Sequence, residues 1–477
     1  LAVLTLAAFG GGAALRAREA HPGASRLRLL PAGAPAEVQV AGPGAALAAE
    51  RPAPKRGGSG GARTAAVALQ EREEARAGAA AETFENVYNL VKEHYVDPLP
   101  GDDKLSRGVV RGMVAALNDP NSFFLEPAQR AVLDAEAAGD YAGIGAGLAL
   151  RSSKKDGYTE TKIVVVAPLP GSPAAEAGLR PGDVVTHVNG RWVLGSNPML
   201  EVDRLYKKVQ NKDATEEELD KATEAATARI RGGISLVAAF LKLRTGSGDK
   251  LNLTVQRAGS PKPLPVSLTT AVTPVEAASS RAVTAPGGGE AGYLRLGAFS
   301  DRTGKALRDA LAALPEGAPL VLDLRGNPGG TLDAAQAVDA ALTQGGTFTV
   351  QVGPGGKKTN IASPISQTRK PRPVAVLVDA GTASTAEALA ASLADKGVGV
   401  VVGASRTFGD GLMQTLYPLP DGSGFLLTTG KFVGPRGTDW NGAGLAPSVT
   451  LPAGATDDQA IAAALSALRS RNSVALR

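Results

Sequence analysis

Residues 374–395 read VAVLVDAGTASTAEALAASLAD. The run 374–380 is apolar except for Asp379 and rich in valine, as a buried strand is. It breaks at Gly381, and from Thr385 the apolar residues recur at helical spacing. Ser384 therefore stands at the leading end of a helix that follows a strand. At that position free N–H groups and the helix dipole favour negative charge, and the Thr385 N–H is placed to meet a developing oxyanion. A helix-capping serine explains the same placement.

Working outward, strand candidates at 292–299 (GYLRLGAF), 319–325 (PLVLDLR), 398–403 (VGVVVG) and 425–432 (FLLTTGKF) alternate with helices at 305–314, 331–342 and 385–395. Such alternation predicts an α/β layer whose ligands gather at the strand C-terminal ends. At one such end, Gly326-Asn327-Pro328-Gly329-Gly330 links strand 319–325 to helix 331–342. Glycines after proline expose backbone N–H groups to an anion. A last helix is expected over 457–468 (DDQAIAAALSAL).

Upstream, two amphipathic helices are expected at 82–96 and 104–119, the second stopped by Pro120. The aromatic pair Phe123-Phe124 anchors the loop that follows. From Tyr141 to about Thr270 the pattern changes to short strands and glycine turns. Inside it, the charged segment 207–231 reads as an inserted, solvated helix.

Composition narrows the chemistry. The 477 residues imply two or three domains. Cysteine is absent, which removes disulfides, thiolate nucleophiles and zinc–thiolate sites. The three histidines, His21, His94 and His187, are far apart and sit in no motif, so neither a histidine metal site nor a Ser-His-Asp triad is indicated. A net charge of +5 without a basic block argues against nucleic acid. Residues 1–17 are apolar until Arg16, suiting the core of an export signal, a membrane anchor or an alanine-rich tail. From Arg18 to about Ala80, Ala, Gly, Pro and Arg dominate without periodicity, as in a disordered linker or an organelle transit segment.

Gly143-Ile144-Gly145-Ala146-Gly147-Leu148 lacks the spacing and flanking strand of a dinucleotide loop. Consecutive N–H groups there can instead hold a peptide carboxylate while the peptide adds as a strand. With 172–190 (SPAAEAGLRPGDVVTHVNG) and 251–257 (LNLTVQR), this segment resembles a PDZ domain, with Gly143, Ile144, Gly145 and Ala146 as the peptide-binding loop.

The succession of this unit, DLRGNPGG, the Ser384 segment and the stretch 400–449 resembles the C-terminal processing peptidases, or tail-specific proteases, from about Glu82 to Leu451. The resemblance implies an α/β (overall α+β) protein: a disordered N-terminal segment (1–80), an N-terminal helical region (81–140), a PDZ domain (141–270), a peptidase core (271–455) and a C-terminal helix and tail (456–477). It implies a serine endopeptidase that recognises apolar C-terminal tails of proteins in an exported or lumenal compartment, either the plastid thylakoid lumen or the bacterial periplasm or envelope. No metal or organic cofactor is implied, and the oligomeric state is left open.

By this resemblance Ser384 is the nucleophile, Thr385, Gly329 and Gly330 supply the oxyanion hole, and Gln414 orients the base. The family's base lysine belongs in a T-F-G-K-G motif. Here that motif reads Thr407-Phe408-Gly409-Asp410-Gly411, with a preceding loop (403–406) one residue longer than usual. Asp410 stands in the lysine's place. Lys431 and Lys396 are the nearby lysines, and relatives often carry a basic residue at the position of Lys431 besides the base. A processing peptidase with a replaced base is one reading. An inactive relative acting as a PDZ-based adaptor or chaperone is the alternative.

Overall fold

The computed structural model describes residues 78–155, 157–365 and 372–475. The apolar stretch 1–17 and the linker as far as residue 77 lie outside them. The chain forms two compact units, residues 1–97 and 98–477. In the first, a helix runs through 78–94 and leaves Phe84, Val87 and Leu90 exposed along one side.

The second unit is organised around a six-stranded sheet in the order Ser279–Thr284, Glu290–Arg295, Leu320–Asp323, Val374–Val378, Gly399–Gly403 and Val449–Thr450. The first pair is antiparallel and the rest are parallel. Strand residues alternate between two cores. Leu320, Leu322, Val374 and Val376 pack with helices Thr303–Ala312, Leu332–Leu342 and Thr385–Asp395. Val321, Ala375 and Leu377 face the C-terminal helix Asp457–Ala475 through Ile461, Ala464 and Leu465. Helices on both faces explain why these strands are apolar throughout.

Strand Gly424–Val433 departs from the alternating pattern expected for 425–432. It belongs to a separate antiparallel sheet with Phe123–Leu125, Leu412–Pro418, Gly346–Val352 and Lys358–Ser363. The tight turn through Asp421-Gly422 joins it to Leu412–Pro418, and so short a connection can only make antiparallel neighbours. Phe123 and Phe124 are buried, as their anchoring role requires, and their strand pairs with 424–426.

A helix at Pro127–Ala138 has no counterpart in the sequence-based expectation, although its ends are well marked. Pro127 starts it, the Gln129 side chain accepts from the Glu126 N–H at 2.9 Å, and Gly139 ends it at φ +99°. The insertion also differs: two helices, Met199–Gln210 and Glu216–Gly232, replace the single one expected over 207–231. Lys212 at φ +64° interrupts the first, and the Thr215–Glu218 capping box restarts the chain as the second.

The PDZ-like sheet is built from Ala146–Lys155, Tyr158–Pro168, Val184–Val188, Lys250–Gln256 and Leu264–Thr269, with short additional strands. Helix Leu236–Arg244 packs on it. Ala146–Lys155 lies at the edge of this sheet, paired on one side with Tyr158–Pro168.

Candidate active site

Ser384 is the residue before helix Thr385–Asp395 and adopts φ +53°, ψ −122°. A β-carbon disfavours that conformation by roughly 1–3 kcal/mol, and such strain persists where surrounding structure fixes it. Several contacts fix it here. The Ala383 N–H donates to the Asn327 carbonyl at 3.0 Å, and the Ser384 N–H donates to Glu387 Oε2 at 3.0 Å. The helix behind is buried along nearly its whole length, so Ser384 is held on a rigid base while remaining partly exposed.

The glycine loop lies against this turn. A β-carbon on Gly329 would stand 2.8 Å from the Ser384 Cβ, and one on Gly330 would stand 1.9 Å from the Phe299 carbonyl oxygen. Both have positive φ, +96° and +135°. Thr385 is buried and its Oγ1 donates to the Gly330 carbonyl at 3.3 Å, which locks loop and helix together. One expectation is corrected: the Gly329 N–H donates to Asn327 Oδ1 at 2.9 Å. It is engaged within the loop, and Gly329 serves the close approach to Ser384 instead of donating to an oxyanion.

Glu387, not singled out from the sequence, ties the two halves of the site together. Its Oε2 accepts from the N–H groups of Ser384 and Asp410, the latter at 2.8 Å. Its Oε1 accepts from the Gly409 N–H at 2.8 Å and from the Thr407 hydroxyl. Burial pushes its carboxyl up to about 7 against those hydrogen bonds. The signal was present in the sequence: Ser-x-x-Glu is the spacing of a capping box.

Asp410 is partly buried. Its Oδ1 accepts from the Leu412 N–H at 3.3 Å. Burial raises its pKa, opposed by that bond and by the positive field of Arg151. Arg151 reaches over from the PDZ edge strand, stacks on Phe408 and donates to the carbonyl oxygen of Phe408. Gln414 donates through Nε2 to the Asn121 carbonyl at 2.7 Å.

A cavity of about 240 Å³ gathers these parts. Ser384, Asp410, Gln414 and Gly330 line it together with Ala146–Leu150 of the PDZ edge strand. The strand abuts the glycine loop directly: a β-carbon on Gly147 would lie 2.3 Å from the Pro328 Cβ. Of the four expected peptide-loop residues, Ala146 lines this cavity. Gly143 and Ile144 are corrected, because their N–H groups already donate to the carbonyls of Gly246 (3.1 Å) and Leu243 (2.9 Å). Gly145 is a packing position, where a β-carbon would stand 2.5 Å from the Ser172 Cβ.

Neither nearby lysine lines this cavity. Lys396, at the far end of the Ser384 helix, pairs with buried Asp339, and Lys431 is exposed. Among the described residues, no cluster of His, Asp and Glu could hold a metal ion, and no helix is long and apolar enough to cross a membrane.

Comparison with known proteins adds independent observations. Residues 290–451 match the model of peptidase family S41, residues 164–213 that of a PDZ domain, and residues 54–128 that of the N-terminal domain of the activating protease CtpB. The chain is 32% identical over 366 residues to the chloroplastic C-terminal processing peptidase of Tetradesmus obliquus, covering 76% of this chain and 71% of that one. It is 29% identical over 395 residues to the carboxy-terminal processing protease CtpB of Bacillus subtilis, covering 81% and 71%. Among solved structures, the photosystem II D1 C-terminal processing protease superposes with a TM-score of 0.56 at 26% identity, over 80% of this chain and 90% of that one.

Proposed function

We propose a function from the premise that the chain belongs to the C-terminal processing peptidases of family S41, serine proteases that carry a PDZ domain. It cleaves proteins with exposed apolar C-terminal tails, in an exported or lumenal compartment, with Ser384 as nucleophile and Asp410 in the position of the base. The observation that carries this reading is the single cavity joining Ser384, Asp410, Gln414 and Gly330 to the edge strand Ala146–Leu150.

The chemistry follows from the parts. A tail adds alongside the edge strand and brings its scissile carbonyl to Ser384. The Ser384 Oγ–carbon bond forms as its proton passes to ionised Asp410, and the N–H groups of Gly330 and Thr385 receive the oxyanion. Asp410 returns the proton to the leaving amine as the C–N bond breaks, and water then hydrolyses the acyl-enzyme. A carboxylate is a weaker base than a neutral amine, even with its pKa raised by burial. General-base assistance is worth about 10²–10⁴ in rate, so the reaction is slow beside that of a lysine-bearing relative.

A second reading, a tail-binding adaptor without catalysis, is favoured by one observation: among the described residues, no lysine lines the cavity. Cleavage of an apolar-tailed protein by the wild type, Ser384→Ala, Asp410→Asn and Asp410→Lys separates the two. Slow wild-type cleavage that is lost in Ser384→Ala and Asp410→Asn supports the peptidase. Binding without wild-type cleavage, with cleavage appearing in Asp410→Lys alone, supports the adaptor.

A further inference from the structure

Asp410 lines two cavities. Besides the one it shares with Ser384, it lines a second of about 200 Å³ together with Leu412, Asn441 and Arg151. Among the described residues, Arg151 is the one cation lining that second cavity and Asp410 the one anion. Arg151 stands on the PDZ edge strand Ala146–Lys155. Its guanidinium carbon lies 4.4 Å from the centre of the Phe408 ring, and Nη2 donates to the carbonyls of Phe408 and, at 3.4 Å, Gly409. Those carbonyls belong to the two residues before Asp410. Phe408 packs with Val164 and Val166 of the neighbouring PDZ strand and with Ala383, the residue before Ser384. Its N–H donates to the Thr382 carbonyl at 2.9 Å. One arginine thus clamps the segment that carries Asp410 and presents a positive charge to a cavity that Asp410 lines.

We propose that Arg151 is a positioning residue for Asp410, a PDZ-borne cation that holds the 407–411 segment in place and keeps the Asp410 carboxylate ionised. This rests on the reading of Asp410 as base above. Taking a carboxylate out of water favours its protonated form, and an opposite charge a few ångströms away counteracts that preference. The other charged groups around Asp410 do not supply it. Glu387, bonded to the Asp410 N–H, is itself an acid. In the first cavity, Arg244 is committed to Glu136, with Nε donating to Oε1 at 3.0 Å. Tyr141, also there, is held protonated by burial. Lys162, opposite Arg151 on the paired strand, lies 3.2 Å from Glu160. An arginine suits the task because its planar group stacks on the ring while hydrogen-bonding two carbonyls. Displacing the edge strand withdraws both the clamp and the charge from the base.

Urea unfolding midpoints from about pH 4 to 8 test this without turnover, on the full chain as wild type, Arg151→Gln, Asp410→Asn and the double variant. Arg151→Gln loses its stacking and hydrogen bonds at every pH. Without the guanidinium, Asp410 also keeps its proton to higher pH in the folded state. The wild-type advantage over Arg151→Gln is therefore expected to widen as pH rises past the point where wild-type Asp410 ionises, then level off. In the Asp410→Asn background the same difference stays constant with pH. Arg151→Lys, which keeps the charge, retains the pH-dependent part and loses much of the constant part. A difference that runs parallel in both backgrounds overturns the proposal and leaves Arg151 a packing residue. In cleavage of an apolar-tailed protein, Arg151→Gln moves the acid limb of kcat/KM to higher pH, lowering the rate about tenfold on that limb. A limb that stays in place while the wild type is active overturns the proposal too. A pH-dependent stability difference without any wild-type cleavage supports the coupling of Arg151 to Asp410 and removes the peptidase reading instead.

Discussion

Glu387 Oε2 accepts hydrogen bonds from the backbone N–H groups of both Ser384 (3.0 Å) and Asp410 (2.8 Å), so one carboxylate oxygen ties the backbones of these two residues together. In Glu387→Gln an amide NH2 faces donors that lose their acceptor. Each buried group left unmatched costs about 1–3 kcal/mol. Denaturant unfolding is expected to show that loss, with turnover reduced at least tenfold in the molecules that remain folded. Unchanged turnover would remove Glu387 from the positioning role.

The same residue makes stability depend on pH. Its carboxyl is raised from an ordinary 4.5 to about 7 by burial. Below 4.5 it is protonated in both folded and unfolded chains. Between 4.5 and about 7 the folded protein alone keeps the proton, so stability falls as pH rises through this window and levels off above it. Urea midpoints measured across the window should decline in the wild type more steeply than in Glu387→Gln. Parallel curves would contradict the assignment.

As the proposed base, Asp410 is expected to set the acid limb of catalysis. Burial holds its pKa above the ordinary carboxylate value of 3.8, and a base must be ionised. Activity is therefore expected to fall with decreasing pH through a midpoint above 3.8. Asp410→Asn should lose the limb together with most of the rate. A pH–rate profile of kcat/KM decides this, and retention of the full rate in Asp410→Asn would exclude Asp410 as base.

Lys396 is held in the core by Asp339. Buried Asp339 accepts from its Nζ, from Ser392 Oγ at 2.7 Å and from Thr343 Oγ1 at 3.3 Å. Lys396→Met leaves that carboxylate buried without its cation, a loss of about 3–5 kcal/mol. Unfolding midpoints should drop while turnover per folded molecule stays unchanged. Abolished turnover in fully folded protein would reinstate Lys396 as a candidate base.

Gly147 is where the PDZ edge strand meets the glycine loop. A β-carbon there would be 2.3 Å from the Pro328 Cβ, so Gly147→Ala must push the strand away from the loop. The cost is about 1–3 kcal/mol, by analogy with overpacked cores. Steady-state kinetics should show kcat falling more than KM rises, because Ser384 and the bound tail lose register. An effect on KM alone would mean that strand and loop work independently.

Local chemistry in the sequence was enough for the strand–turn–helix at Ser384, the glycine loop at 326–330, the alternating layer of the core and the buried Phe123-Phe124 pair. Periodicity, turn residues and helix-start residues are short-range signals, and these segments carry them strongly. The helix at Pro127–Ala138 carried the same kinds of signal at both ends and still went unread. The partners of individual N–H groups were not legible. Gly143 and Ile144 have the residue types of a ligand-binding loop, yet the carbonyls that engage them, of Gly246 and Leu243, come from far along the chain, whereas Gly329 is engaged by Asn327 of its own loop.

The sequence by itself determined the family and the order of its parts. Only the tertiary structure decided that Ser384, Asp410 and Gln414 share a cavity with the PDZ edge strand, that Glu387 holds the site together, and that Glu136 sits on Arg244. The physical reason is distance along the chain. Patterns of apolar and turn residues act over a few positions. Hydrogen bonds and ion pairs between residues far apart in sequence exist only once the sheets have packed.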